Sequence, residues 1–172
     1  MGRVFTRKGI LFGFLLVAFI IVFEIILARL GLPAWPAFMV MIFFFVAHED
    51  IKQAPHILIG GLTGIICVIL IKKFIAGLEP FMGMEAAKLL FIGLFVYSIV
   101  LLKDTIPYVF NSYAFMFFLV AALAAHTPDP DPYIWMGVEL VVGAIFIAGI
   151  LGISKVVALI LQEETDAHGG HQ

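Results

Sequence analysis

Ala37-Phe38-Met39-Val40-Met41-Ile42-Phe43-Phe44-Phe45-Val46-Ala47-His48 precedes the acids Glu49 and Asp50. Ala114-Phe115-Met116-Phe117-Phe118-Leu119-Val120-Ala121-Ala122-Leu123-Ala124-Ala125-His126 precedes Asp129 and Asp131. Both stretches open on the same three residues, stay apolar, and end on a histidine before an acidic loop. Upstream, Arg29 lies four residues before Pro33, and Lys103 four before Pro107. Downstream, each copy resumes with a glycine-bearing apolar segment, at Gly60-Gly61 and at Gly137. With its flanking runs, each copy holds three apolar segments. Because three is odd, a second copy threaded after the first enters a bilayer upside down. Inverted repeats of this kind build transporters whose sites lie at the repeat interface.

Composition sets the solvent. Of 172 residues, 63% are hydrophobic and 13% charged, with a mean hydropathy of +1.16. Soluble domains are about 45–50% apolar and about 25% charged. The reading is therefore an all-α polytopic membrane protein of about six transmembrane helices, in two inverted three-helix repeats. A single transmembrane domain covers residues 1–161, with halves at 9–73 and 86–161, and 162–172 form a flexible acidic, His-containing tail. The lipid bilayer is the first partner implied. A net charge of −2 gives no basic surface for nucleic acid. Cys67 is the sole cysteine, which excludes an intrachain disulfide. The first apolar run contains Glu24 and Arg29 and has no small-residue cleavage site, unlike a signal peptide.

The expected segments are 9–30, 35–47, 56–71, 86–102, 108–125 and 134–161. Gly31-Leu32-Pro33 ends the first. The second is about 13 residues, roughly 20 Å at 1.5 Å per residue, against a hydrocarbon core of about 30 Å. It calls for a thinned bilayer or shielding by protein, and a homo-oligomer would help to shield it. Lys72-Lys73 closes the third segment, and a glycine- and proline-bearing link over 73–85 separates the halves. Thr127-Pro128-Asp129-Pro130-Asp131-Pro132 reads as an extended acidic loop. With six spans and a cytoplasmic N-terminus, six Lys/Arg fall inside (Arg3, Arg7, Lys8, Lys52, Lys103, Lys155) and four outside (Arg29, Lys72, Lys73, Lys88). The positive-inside bias thus places the N-terminus in the cytoplasm.

Leu30-Gly31-Leu32-Pro33-Ala34-Trp35-Pro36-Ala37-Phe38, followed by Phe43-Phe44-Phe45 and a loop holding Lys52, resembles the small bacterial inner-membrane proteins of the domain-of-unknown-function family number 1097. The Ala- and Phe-rich stretch from Phe115 to Ala125 and the Gly-rich final segment are similar in style. The family's loops are glycine-rich where this chain has His48-Glu49-Asp50, and they lack the proline-acid run before the last segment. The resemblance implies a multispan inner-membrane protein and no particular activity.

Six residues are candidates for a pore or solute site. Glu24 and Glu139 are acids inside apolar runs, where insertion costs roughly 2.5–3.5 kcal/mol and function is the default suspicion. They could supply polarity or proton coupling. Alternatively, they sit near the interfaces. His48 and His126 end matched segments and would face opposite sides of the membrane. There they could bond a permeating solute, or simply close an apolar run. Asn111 and Ser112, beside Tyr108, put neutral polar groups where the other copy has Trp35-Pro36, which suits a pore. A helix cap within an aromatic belt of Tyr108, Trp35 and Trp135 is the alternative. Gly60, Gly61, Gly64, Gly143 and Gly149 are expected at close helix crossings. His48-Glu49-Asp50 with His56, and the tail pair His168 and His171, contain ligand-type side chains but no structural metal spacing. No metal or cofactor is expected. No nucleophile elbow, zinc-protease or phosphate-loop motif is present, so the chain does not read as an enzyme. The sequence points to a channel or transporter for a small solute. The alternative is a non-catalytic membrane subunit of a larger complex, such as the substrate-binding component of a modular importer.

Overall fold

The computed structural model describes residues 6–127 and 131–169. Among the described residues there are six α-helices: α1 (Arg7–Arg29), α2 (Trp35–Val46), α3 (Ala54–Met82), α4 (Met84–Leu102), α5 (Ser112–Ala124) and α6 (Pro132–Gly169). A short 3₁₀ turn, Ile51–Gln53, leads into α3. No strand occurs among the described residues.

Local chemistry sets most boundaries. Thr6 starts α1 by accepting a hydrogen bond from the Gly9 amide at 3.1 Å. At its end, the Leu32 amide donates to the Leu27 carbonyl and the Gly31 amide to that of Ala28, around Gly31 at φ +65°. This paired closure needs a left-handed residue, which glycine supplies without a Cβ clash. The same closure ends α2, where the Glu49 amide reaches Phe44 and the His48 amide reaches Phe45. Here the left-handed residues are His48 (φ 56°) and Glu49 (φ 59°). Asp131 caps α6, accepting from the Tyr133 amide at 2.9 Å and the Ile134 amide at 3.3 Å.

Several boundaries depart from the sequence reading. α3 passes straight through Lys72-Lys73 and Gly77 to Met82, so the expected link over 73–85 shrinks to one residue, Gly83, at φ +79°. Long lysine side chains can extend along a helix toward polar surroundings without ending it. Pro80 falls in the last turn of α3, where the chain is about to break anyway. The fifth segment begins at Ser112 rather than Tyr108, because Asn111 is its cap. The final helix continues to Gly169, so residues 162–169 are helical and extend α6. No helix breaker intervenes between Gly152 and Gly169. The expected extended run over 128–130 lies outside the described residues, as do Arg3 and His171.

Among the described residues, four stretches are long and apolar enough to cross a membrane: Arg7–Arg29, Ile51–Met82, Met84–Leu102 and Pro132–Gln162. α2 and α5, with 12 and 13 residues, are shorter; at 1.5 Å per residue each is about 20 Å long. The two short helices are in the core. Pro36, Ala37, Val40, Phe43 and Phe44 of α2 are buried, as are Ala114, Phe117, Phe118 and Ala121 of α5. α1 and α4 lie at the periphery and expose apolar side chains, among them Phe14, Val17 and Ile21, and Leu89, Val100 and Leu101. An aqueous surface would not tolerate this many; a helical membrane protein presents them to lipid.

Side-chain pairs fix how the helices run. Phe19 lies on Gly149 and Phe23 on Phe146, so α1 and α6 are antiparallel. Trp35 meets Trp135 and Val40 meets Gly143, so α2 and α6 are parallel. Asn111 lies on Gly60 and Phe117 on Gly64, so α5 and α3 are parallel. Glu49, just before α3, accepts from the Ser154 hydroxyl at 3.3 Å, while Gly61 meets Glu139. α3 and α6 therefore cross antiparallel. The packing partners are exchanged: α3 packs on α4 and α5, α6 on α1 and α2, and α3 and α6 on each other.

Candidate functional site

The crossing of α3 and α6 is built around the pair Gly60-Gly61. With no side chains there, two polar groups approach α3 on adjacent facets. Asn111 lies over Gly60, and the Glu139 carboxyl lies over Gly61 beside the Phe117 ring. A Cβ on either glycine would collide with these groups. Gly64 is likewise pressed against the Ala114 carbonyl, Gly143 against Val40, and Gly149 against the Phe19 ring.

Among the described residues, Glu139 is the one charged-type side chain that is fully buried, at 0% exposure. Neither of its carboxyl oxygens has a hydrogen-bond partner. A buried carboxylate without donors is among the costliest arrangements in a protein, and its presence calls for a reason.

Asn111 is occupied structurally. Its amide nitrogen donates to the carbonyls of Pro107 (2.8 Å), Tyr108 (3.0 Å) and His56 (3.1 Å), and its Oδ1 accepts from the Ala114 amide at 2.9 Å. It caps α5 and ties that cap to the start of α3. The helix cap expected as the alternative is thus present, and the same residue lines the groove described below.

The other four candidates are not brought to the crossing. Glu24 is exposed on the outer side of α1. His48 is exposed at the end of α2, and His126 at the end of α5, where its Nδ1 lies 2.9 Å from the Ala122 carbonyl. Ser112 is exposed beside Asn111. It lines a groove of about 470 Å³ together with Gln53, His56, Lys103, Asp104 and Asn111. The His56 ring stacks on Tyr108 at 4.4 Å within the same region. The Trp35 and Trp135 rings pack on each other, with centroids 5.4 Å apart.

A second space, about 450 Å³, lies between α3 and α4. Its walls include Ile66, Cys67, Leu70, Phe74, Phe91 and Phe95. Two hydroxyls reach it, Thr63 and Ser98, and each donates to the carbonyl four residues back, Ile59 and Leu94, at 2.8 Å. Phe110 borders both this cavity and the polar groove. Composition alone gave no sign of the cavity, since its lining residues resemble every other apolar residue in the chain.

Among the described residues, no three His, Cys, Asp or Glu side chains are arranged to hold a metal ion. His48, Glu49 and Asp50 diverge along their turn: Glu49 engages Ser154, and Asp50 accepts from the Lys52 amide at 2.9 Å. No protein-family profile, curated protein or solved structure matches the chain.

Proposed function

We propose that this chain is a multi-pass protein of the bacterial inner membrane, with a cytoplasmic N-terminus, that carries a small solute across the bilayer. Its halves, α1–α3 and α4–α6, form an inverted repeat, and the pseudo-two-fold axis passes between α3 and α6. The antiparallel α3–α6 crossing and the exchanged partners support this reading: swapping the halves maps α3–α5 onto α6–α2 and α3–α4 onto α6–α1. α2 and α5 cross the bilayer as short helices shielded by their neighbours, and a homo-oligomer covers part of the outer faces of α1 and α4. Family 1097, which the chain resembles, belongs to the same reading and lends it no activity.

The observation that carries the proposal is Glu139. An unpaired carboxyl fully buried where two halves cross is what a transport centre requires, and packing alone gives no reason for it. The test is solute entry into proteoliposomes, followed by light scattering across a series of small neutral and charged solutes. The expected result is entry of at least one solute above protein-free vesicles, reduced to the protein-free rate by Glu139→Gln. No entry of any solute would sink the proposal. Topology is checked separately with single cysteines near Asp50 and Asp129 in a Cys67→Ser background. Inversion requires that an impermeant reagent outside the cell label only one of the two.

A membrane-subunit role is favoured by one observation, the open face of Gly13 on the peripheral α1, where nothing lies within 4 Å. A small-residue surface of this sort can dock a partner helix. Co-purification of an ATPase with the intact protein would move the assignment to that class.

A further inference from the structure

We infer that the ion coupled to transport is the proton, and that it is held on Glu139 and exchanged with water through the groove lined by His56, Asn111 and Ser112. The inference rests on the transport reading above and names its coupling ion.

Consider what the carboxyl can hold where it lies. A metal cation in a protein site takes several oxygen ligands, six or more for Ca²⁺ and Mg²⁺. Around Glu139, α3 offers Gly60 and Gly61, α5 offers Phe117, and α2 has no ionisable residue along its whole length. Backbone carbonyls at the crossing belong to helices and are engaged along them. The nearby side-chain oxygen, Asn111 Oδ1, already accepts from the Ala114 amide. The charged residues of α1, Arg7, Lys8, Glu24 and Arg29, are all exposed. A proton needs none of these: it bonds covalently to one carboxyl oxygen and leaves a neutral acid, the one state that tolerates such a site.

The route to water follows from adjacency. Asn111 forms part of the groove and also lies on Gly60, one residue along α3 from the glycine that faces Glu139. The groove's remaining polar groups are Gln53, His56, Lys103, Asp104, Ser112 and Tyr113. A small outward movement of the α5 N-terminus, which is held by the Asn111 bonds to His56, Pro107 and Tyr108, would open the carboxyl to this groove. Release breaks the carboxyl O–H bond, the electron pair stays on Glu139, and the proton passes to water in the groove. Uptake is the reverse.

The test uses the purified full-length protein in lipid. Infrared difference spectra should contain a protonated-carboxyl C=O band at neutral pH that downshifts in D₂O. The band should vanish in Glu139→Gln and move, without vanishing, in Glu139→Asp. Dicyclohexylcarbodiimide, which reacts with neutral carboxyls, should give an adduct mapped to Glu139, and labelling should fall as pH rises. A bulky thiosulfonate on Ser112→Cys, in the Cys67→Ser background, should slow the band's D₂O exchange. A band unchanged by Glu139→Gln, or labelling suppressed by Na⁺ at constant pH, would overturn the inference. Unchanged exchange after Ser112 modification would overturn the route. Loss of solute entry with the band intact would instead overturn the transport reading. Solute entry with the same pH dependence in Glu139→Gln would remove the proton from transport and leave transport standing.

Discussion

At mid-length the seam between α1 and α6 is filled by aromatic rings, and it opens only toward the start of α1, where Ile10, Leu11, Phe14, Ile160 and Leu161 border a space of about 550 Å³; its counterpart between α4 and α3 is open along its middle. At the first, Phe19, Phe23, Phe38 and Phe146 form one aromatic cluster, with centroids 4.7–5.6 Å apart, and Phe19 rests directly on Gly149. At the second, Phe74 and Phe91 meet at 5.4 Å, yet a cavity of about 450 Å³ remains below them. Two helix pairs with matching places in the chain have thus taken different side-chain solutions. The difference lies in the small residue: Gly149 lets a ring come down onto α6, whereas α3 presents Cys67 and Leu70 toward α4 and holds it off. A membrane offers no hydrophobic gain for closing such a gap, because lipid tails are as apolar as the side chains. Only dispersion contacts are forfeited. An open seam is therefore easily kept, and a closed one records packing complementarity.

The largest expected effect comes from breaking the closed seam. Phe146 is fully buried and contacts all three other rings, so Phe146→Ala should destabilise the fold by about 3 kcal/mol. A smaller apparent loss in denaturant titrations in detergent would mean that lipid or detergent refills the space. Next is Gly149→Ala, which drives a methyl into the Phe19 ring and should cost about 1–3 kcal/mol. The analogous crowding on the open seam, Ser98→Val, should change thermal stability by less than about 0.5 kcal/mol, since the new methyl has a cavity to enter. If Ser98→Val also slows solute entry into proteoliposomes, the cavity lies on the transport path.

A further contrast is between the ends of α2 and α5. α2 closes through His48 and Glu49 in the left-handed region, where a side chain costs roughly 1–2 kcal/mol per residue. α5 closes with ordinary backbone, the Thr127 hydroxyl donating to the Ala124 carbonyl at 2.7 Å. His48→Gly should therefore raise stability by about 1 kcal/mol, while His126→Gly should not raise it. Melting temperatures of the two variants, measured side by side, decide the point.

Much of the architecture was legible. Gly31-Leu32-Pro33 marked the first break, and the length of Trp35–Val46 announced a helix too short for an ordinary span. The boundary between the halves was placed too broadly. Lys72-Lys73, Gly77 and Pro80 look like punctuation, but a helix tolerates two long cations, one glycine and a proline in its final turn. Glu139 stood out as a charge in an apolar run. Its complete burial did not, because that depends on Gly61 in a helix some eighty residues earlier and on the antiparallel crossing that joins them. Asn111 was ambiguous for a different reason: the same amide suits a pore or a cap, and its four bonds appear only once the chain is folded.

The exchange of partners also bears on how the chain comes to exist in a cell. A ribosome delivers α1, α2 and α3 first, yet the main supports of α3 are α4 and α5, and those of α1 and α2 are on α6. The first three helices therefore reach the membrane without a core of their own, joined to the rest by the single residue Gly83. Assembly has to wait until the last helix is synthesised. A chain truncated before α6 keeps the packing of α3 on α4 and α5 but leaves α1 and α2 without their main support.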